Sequence, residues 1–124
     1  MIKVYHNTQC SKSRDCLLFF DEMKQPYEVI EYLKDTPSAD ELKVLITKLG
    51  IKPIALVRQK EPIWKEKFDG RKLRNEQIIR AMVKYPILIE RPIVINGDKA
   101  VIARPLEKAA EIINAKVPES RANG

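Results

Sequence analysis

The first 32 residues alternate between strand and helix patterns, and this alternation limits the possible folds more than any other feature. Residues 2 to 6 alternate apolar with polar side chains, which predicts a short strand. A helix is predicted from 11 to 23, because Gln25-Pro26 would end it. A second strand is predicted from 27 to 32. Two strands joined by a helix typically pair in parallel, so the chain is expected to begin with a βαβ unit.

The middle of the chain carries helical signals. Ser38 and Glu41 form a capping-box pattern at the start of one helix, and Gly50 stands where a C-cap glycine belongs. The residues that follow are less regular. Asn75 is then expected to cap another helix, which ends before Pro86.

The last third predicts a hairpin followed by a helix. Two β-branched segments, 93 to 95 and 100 to 102, flank Asn96-Gly97, which is a strong hairpin signal. Pro105 suits the first turn of a final helix. A hairpin adds antiparallel pairing to the parallel unit at the start of the chain.

This order of elements predicts an α/β fold, a thioredoxin-like mixed sheet with a helical insertion between an N-terminal βαβ half and a C-terminal ββα half. A chain of 124 residues is long enough for one domain with a single core. We expect that domain to span 1 to 115, with the insertion at about 36 to 85. The polar residues from 116 to 124 are expected to form a flexible tail.

Composition excludes several classes of protein. No apolar stretch approaches the roughly 18 residues of a membrane span, and the N-terminus lacks a signal-peptide pattern, so we expect a cytoplasmic protein without a membrane partner. The net charge is +6, but the basic residues are interleaved with 17 acidic ones, so no nucleic-acid partner is expected. With two cysteines and one histidine, the chain has too few of these residues for a disulfide-stapled fold, and no metal site is expected.

Cys10 is the first candidate for chemistry. It stands where the first loop becomes a helix, and the unpaired N–H groups of a helix N-terminus stabilise a thiolate. Lys12 and Arg14 add positive charge nearby. The alternative is a small filler side chain, but polar residues flank this cysteine and filler cysteines usually lie on apolar faces. We therefore predict that Cys10 is a redox nucleophile.

Cys16 is expected to be a packing residue. Six residues after Cys10 on one helix, it lies about 240° around the axis and about 9 Å along it. Disulfides need Cα atoms closer than about 7 Å, so the two cysteines cannot bridge. Phe20 and Met23 follow Cys16 on one apolar stripe, which predicts that all three face the core.

Three arginines and one histidine are the other candidates. Arg58, Arg91 and Arg104 have guanidinium groups, which bind tetrahedral oxyanions through paired, charge-assisted hydrogen bonds. Their spacing does not show that they converge, and each alone could be a surface residue. His6, four residues before Cys10, is a candidate to tune the thiolate, with a structural hydrogen bond as the alternative.

Two segments resemble the signatures of one family. Residues 6 to 14, His-Asn-Thr-Gln-Cys-Ser-Lys-Ser-Arg, resemble the active-site segment of the glutaredoxin-coupled arsenate reductases, the ArsC family. Residues 85 to 94 resemble that family's second signature, and the resemblance extends from about 2 to 113. Characterised members read Cys-Gly-Thr-Ser-Arg where this chain has Cys-Ser-Lys-Ser-Arg, a variant that marks a related subgroup.

The resemblance implies a thioredoxin-like fold and a role for each motif residue. Cys10 would be the nucleophile, Pro92 a cis proline beside it, and His6 the family's histidine near the cysteine. The oxyanion-binding positions would be those of Arg58, Arg91 and Arg104. Ser13 and Arg14 would be supporting residues of the same segment.

The implied activity is the reduction of arsenate to arsenite, a step in arsenic detoxification. Glutathione and glutaredoxin would be external reductants, and no bound cofactor or metal would be required. One alternative is a Spx-type regulator, which shares the fold and binds RNA polymerase, commonly with a Cys-x-x-Cys switch; here Ser13 replaces its second cysteine. The other alternative is a thiol oxidoreductase with a different substrate.

Overall fold

The structure, a computed structural model, describes residues 1 to 116. The chain divides into two compact units, one formed by Met1–Glu31 together with the chain from Arg91 onward, the other by Tyr32–Glu90. A flexible tail was predicted for residues 116 to 124, and residues 117 to 124 lie outside the described part of the chain. No helix in the described part of the chain is both long and apolar enough to cross a membrane.

Helices and strands alternate at both ends of the described chain, with helices between. In order, the elements are β1 (Ile2–Tyr5), α1 (Ser11–Glu22), β2 (Tyr27–Ile30), α2 (Ala39–Leu49), α3 (Pro62–Lys67), α4 (Asn75–Lys84), β3 (Ile93–Asn96), β4 (Lys99–Ile102) and α5 (Glu107–Lys116). Short 3-10 helices at Pro53–Leu56 and Pro86–Leu88 precede α3 and β3.

The first unit contains a four-stranded mixed sheet in the order β2-β1-β3-β4. β1 pairs in parallel with β2, whereas β3 is antiparallel to both β1 and β4. The parallel pair is the predicted βαβ half, and the antiparallel pair with α5 is the predicted ββα half. The mixed α/β architecture expected from the order of elements is therefore confirmed.

Apolar residues of α1 and α5 pack with the sheet to form the core of this unit. Cys16 and Phe20 of α1 are fully buried, as are Val4 of β1 and Val94 of β3. The contribution of α5 comes from three buried residues, Ala109, Ile112 and Ile113. This packing buries one face of α1 and one face of α5 in the core of the unit.

Two predictions about helix ends are wrong. Met23 is the C-cap of α1 and is 38% exposed, because the helix stops one residue earlier and its apolar stripe ends at Phe20. Pro105 does not lie in α5, which begins at Glu107. Instead, the carbonyl of Pro105 accepts a hydrogen bond from Lys108 N at 3.1 Å, which makes a tight turn ahead of the helix.

The hairpin forms as predicted, but its turn lies one residue later. Asn96 pairs with Lys99, so the two-residue turn is Gly97-Asp98, and Gly97 has a φ of 63° that favours glycine. Asn96 is buried in the strand, where its Nδ2 donates to the Ile112 carbonyl at 3.0 Å. That contact joins the end of β3 to α5.

The second unit confirms the predicted capping box of α2. Glu41 N donates to Ser38 Oγ at 3.1 Å, and Ser38 N donates to Glu41 Oε1 at 3.0 Å. Gly50 follows α2 in the left-handed conformation, with a φ of 68°. Both ends of this helix are therefore set by the residues that the sequence pattern indicated.

The cap of α4 differs from the prediction by one residue. Arg74 is the N-cap and Asn75 is the first helical residue. Gln77 Oε1 accepts a hydrogen bond from Arg74 N at 2.8 Å, so glutamine rather than asparagine satisfies the backbone at this end. The whole unit, Tyr32–Glu90, covers the segment where the insertion was expected. That a single domain spans 1 to 115 stays a prediction.

Candidate active site

Cys10 is the N-cap residue of α1, at the position that the sequence indicated. Its backbone is extended, with φ −102° and ψ 120°, and its carbonyl accepts the first helical hydrogen bond from Arg14 N at 3.0 Å. Cys10 N donates to the Asn7 carbonyl at 3.0 Å, which closes the loop between β1 and α1. The thiol is partly exposed. It can therefore meet a small reactant in solution.

The environment of Cys10 favours the thiolate. Partial burial raises the pKa of the thiol, but hydrogen bonds from the backbone of Ser13, from the Arg91 side chain and from the backbone of Lys12 lower it, together with the charge of Arg91. The lowering contributions are larger in sum, so the pKa lies below its ordinary value. Backbone N–H groups at a helix N-terminus and a nearby cation stabilise sulfur as an anion.

Two of the predicted arginines lie beside this sulfur. Arg104 Nη2 donates to Cys10 Sγ at 3.5 Å, and Arg104 Nε donates to the Arg91 carbonyl at 2.7 Å. The Arg91–Pro92 peptide bond is cis, as the resemblance implied. The first unit therefore brings Cys10, Arg91, Pro92 and Arg104 together, although they come from opposite ends of the chain.

Arg58 lies in the second unit, where its guanidinium group forms two ion pairs. Nη1 is 2.9 Å from Glu90 Oε1, and Nε is 3.4 Å from Glu61 Oε2. Its backbone N donates to the Leu88 carbonyl at 2.7 Å. These contacts hold the side chain within its own unit. The role of Arg58 as an oxyanion ligand stays a prediction from the family resemblance.

His6 acts on this site through Ser13. His6 Nδ1 lies 2.6 Å from Ser13 Oγ, and both residues are buried. Ser13 Oγ also accepts a hydrogen bond from Asn7 N at 3.1 Å, so its own proton is available to donate to a neutral imidazole. Burial lowers the pKa of His6, which favours that neutral form at pH 7. His6 thus fixes Ser13, whose backbone hydrogen-bonds to Cys10.

This buried pair was only partly visible in the sequence. The motif marked His6 and Ser13 separately, and nothing in their spacing showed that they share a hydrogen bond. The available signal was a serine in the first helical turn at the helical spacing of the buried residues Cys16 and Phe20. Arg14, the other supporting residue, donates from Nη1 to the Thr8 carbonyl at 3.0 Å and so ties α1 to the preceding loop.

Cys16 differs from Cys10 in every respect that controls thiol reactivity. It is fully buried, and burial raises its pKa to about 12. Both cysteines are free thiols, as the spacing required. Among residues 1 to 116, no group of three or more His, Cys, Asp or Glu side chains could hold a metal ion.

Alkylation is expected to distinguish the two cysteines. Because the pKa of Cys10 is lowered, its thiolate fraction and its rate with iodoacetamide should reach half-maximum at a lower pH than in the denatured protein. Cys16 should be modified only after denaturation. Mass mapping across a pH series measures both rates, with a denatured sample as control. Modification of Cys16 before Cys10, or a midpoint for Cys10 at or above that of the denatured protein, would contradict this expectation.

The fold and the site define a class of protein that presents one activated cysteine at the start of a helix, beside a cis proline and two arginines. The sequence also matches the ArsC family over residues 5–112. The chain belongs to the ArsC family.

Individual relatives match over nearly their whole length. An arsenate reductase from Neisseria meningitidis serogroup A is 39% identical over 114 residues, which make up 90% of this chain and 97% of the relative. An arsenate reductase from Haemophilus influenzae is 42% identical over 113 residues, 89% of this chain and 97% of the relative. The structure of an arsenate reductase from Vibrio cholerae matches with a TM-score of 0.86 at 40% identity, covering 90% of this chain and 96% of that one. The thioredoxin-like fold with a helical insertion is thus confirmed.

Proposed function

We propose that this protein reduces arsenate to arsenite, with Cys10 as nucleophile and glutathione and glutaredoxin as external reductants. The observation that carries the proposal is the guanidinium group of Arg104, 3.5 Å from the sulfur of a cysteine whose pKa is lowered. Relatives named arsenate reductase, 39% and 42% identical, support arsenate as the substrate. A cytoplasmic location is part of the same proposal.

The first step needs an anion site next to a nucleophile. Arg91 and Arg104 provide two cations that neutralise a tetrahedral dianion close to Cys10, which reduces its repulsion with the thiolate. Arg58 is assigned to this role by resemblance alone. The Cys10 thiolate attacks arsenic, a sulfur–arsenic bond forms, and one arsenate hydroxyl leaves as water after taking up a proton. Arsenic is still in oxidation state five in this adduct.

The second step transfers two electrons. A glutathione thiolate attacks Cys10 Sγ, and the sulfur–arsenic bond breaks with its electron pair on arsenic. Arsenic(V) becomes arsenic(III), which leaves as arsenite, and Cys10 is left in a mixed disulfide with glutathione. A glutaredoxin thiolate then attacks the glutathione sulfur, and Cys10 leaves as thiolate. The backbone of Lys12 and Ser13 favours this leaving group for the same reason that it favours the nucleophile.

The regulator alternative has less support. A Cys-x-x-Cys switch needs a second thiol at position 13, where this chain has a buried serine bonded to His6. Cys16 does not replace it, because it is buried and its pKa is raised to about 12. A thiol oxidoreductase with another substrate remains the second candidate, since the activated Cys10 suits it equally well.

The test is arsenite formation by the purified protein with arsenate, glutathione and glutaredoxin. Arsenite should appear with the complete mixture and fall to background when either glutathione or the protein is omitted. Omission of glutaredoxin should permit about one turnover per protein, because the mixed disulfide then persists. A pull-down with RNA polymerase is run in parallel. No arsenite with stoichiometric polymerase binding would favour the regulator, and no arsenite without binding would favour another thiol reaction.

A further inference from the structure

One arginine in the second unit is paired with two carboxylates. Arg58 Nη1 is 2.9 Å from Glu90 Oε1, and Arg58 Nε is 3.4 Å from Glu61 Oε2. The three side chains are each 21% to 25% exposed, so water screens the cluster only in part. One positive and two negative charges leave the cluster negative. In this arrangement Arg58 is therefore not a free cation that waits for an anion.

Main-chain hydrogen bonds bring both carboxylates to Arg58. Arg58 N donates to the Leu88 carbonyl at 2.7 Å, and Glu90 N donates to the Leu56 carbonyl at 2.9 Å, so the two segments run side by side. Glu61 N donates to the Arg58 carbonyl at 3.1 Å, which closes the turn that carries the other carboxylate. The cluster is thus built into the backbone of the second unit.

The carboxylates do not saturate the guanidinium group of Arg58. The Glu90 contact has the length of a charge-assisted hydrogen bond, but the Glu61 contact is longer than an ordinary N–H···O bond. Arg58 Nη2 makes no hydrogen bond to residues 1 to 116. A tetrahedral oxyanion can place two oxygens on Nη1 and Nη2 together, and such a paired contact is stronger than the single contact of Glu90. The Glu90 carboxylate is therefore exchangeable.

We propose that Glu90 sets the oxyanion affinity of this protein, because an oxyanion must displace its carboxylate from Arg58. The inference rests on the proposed function, in which Arg58 is an oxyanion ligand. Glu90 does not touch the substrate; it is a positioning residue that acts through Arg58. When a binding group is free for only part of the time, the apparent affinity for its ligand falls by that fraction. The ion pair with Glu90 imposes such a reduction on each oxyanion that binds Arg58.

The exchange depends on the charge of the bound molecule. An arsenate dianion displaces one carboxylate because it carries more negative charge and offers two oxygens to the guanidinium fork. The product of the proposed reaction, arsenite, is uncharged at neutral pH and does not compete with a carboxylate. Arg58 then returns to Glu90. The pair thus weakens substrate binding and favours product release.

Glu90→Gln tests the competition, because glutamine keeps an oxygen that accepts from Arg58 but removes the charge. The Kd for inorganic phosphate, a tetrahedral oxyanion that the protein does not reduce, should fall about two- to fivefold, the range that partly exposed ion pairs provide. The KM for arsenate should fall with it. A titration followed by phosphorus NMR measures the Kd. An unchanged or higher Kd would overturn the inference, and mere damage to the structure would not tighten binding.

Two comparisons separate competition from a general effect of charge. Glu76→Gln, at an exposed position of α4, makes the same change in net charge and should keep the wild-type Kd. In an Arg58→Ala background, Glu90→Gln should no longer tighten phosphate binding, because the carboxylate has no arginine to withhold. Arg58→Gln is a second background, and thermal unfolding checks each variant. Equal tightening in Glu76→Gln, or equal tightening without Arg58, would overturn the inference.

Failure of this inference is separable from failure of the proposed function, because phosphate binding requires no reduction. If the wild type forms no arsenite but Glu90→Gln tightens phosphate binding only when Arg58 is present, the competition holds and arsenate is not the substrate. If arsenite forms and Glu90→Gln changes neither the Kd for phosphate nor the KM for arsenate, the proposed function holds and Glu90 does not compete for Arg58.

Discussion

Replacing Cys10 by serine is expected to reduce arsenite formation to background, whereas replacing Cys16 by serine should leave most of it. A serine hydroxyl is almost entirely protonated at neutral pH, so it supplies no anionic nucleophile. It also cannot form the mixed disulfide through which the electrons leave the protein. The helix N-terminus and the arginines that favour the Cys10 thiolate do not compensate for either loss.

The measurement is the rate of arsenite formation by wild type, Cys10→Ser and Cys16→Ser with glutathione and glutaredoxin. Cys16→Ser is the matched control, since it makes the same change in the same helix. Cys16 is fully buried, and a hydroxyl there costs about 1 to 3 kcal/mol of folding free energy, so thermal unfolding is measured alongside. Turnover by Cys10→Ser, or its loss in a folded Cys16→Ser, would reverse the assignment of the nucleophile.

The parts of the fold that could be predicted are those with local causes. The capping box of α2 is made by two residues three positions apart, Ser38 and Glu41, and its C-cap by the conformational freedom of Gly50. The start of α1 at Ser11, with Cys10 as N-cap, follows from the change of pattern at one loop. In each case the residues that determine the structure lie within a few positions of one another.

The errors occurred where a side chain makes a hydrogen bond that the local turn or cap preference does not include. Asn96-Gly97 fits a turn by local preference, but the Asn96 side chain is bound to the Ile112 carbonyl and stays in the strand. Asn75 suits a cap, but Gln77 supplies the hydrogen bond to Arg74 instead. Turn and cap preferences amount to about 1 kcal/mol, so one competing hydrogen bond is enough to shift them by a residue.

The arginines of the site could not be assigned from residue spacing, because their contacts with Cys10 join distant parts of the chain. Cys10 and Arg104 are 94 positions apart, and their contact depends on β3 pairing with β1 and on β4 pairing with β3. Guanidinium chemistry made Arg58, Arg91 and Arg104 candidates, and the resemblance to the ArsC family assigned all three to one site. The first unit places Arg91 and Arg104 beside the sulfur. Physical reasoning from the sequence supplied the reactive thiol and the candidate arginines, and only the resemblance implied that the arginines act together with that thiol.

Arg91→Ala and Arg104→Ala are each expected to lower kcat/KM for arsenate by roughly 10- to 150-fold, which corresponds to about 1.5 to 3 kcal/mol for a hydrogen bond to a charged group. Arg104→Lys should recover only part of this loss, because lysine keeps the charge but lacks the planar fork that reaches both Cys10 Sγ and the Arg91 carbonyl. Arg91→Ala should also raise the pKa of Cys10, since Arg91 contributes to its lowering.

The rate of arsenite formation at limiting arsenate measures the loss of kcat/KM. The rate at which Cys10 reacts with bis(2-hydroxyethyl) disulfide, an uncharged reagent, corrects this loss for any change in the reactivity of the thiolate. Arg80→Ala, an exposed arginine of α4, is the control for loss of a positive charge and should behave as the wild type. Thermal unfolding checks Arg104→Ala, because that variant also loses the hydrogen bond to the Arg91 carbonyl. If both alanine variants kept wild-type kcat/KM, the two guanidinium groups would not bind the substrate. Their position beside Cys10 would then serve only to stabilise the thiolate, and the alkylation midpoint of Cys10 would rise in each variant.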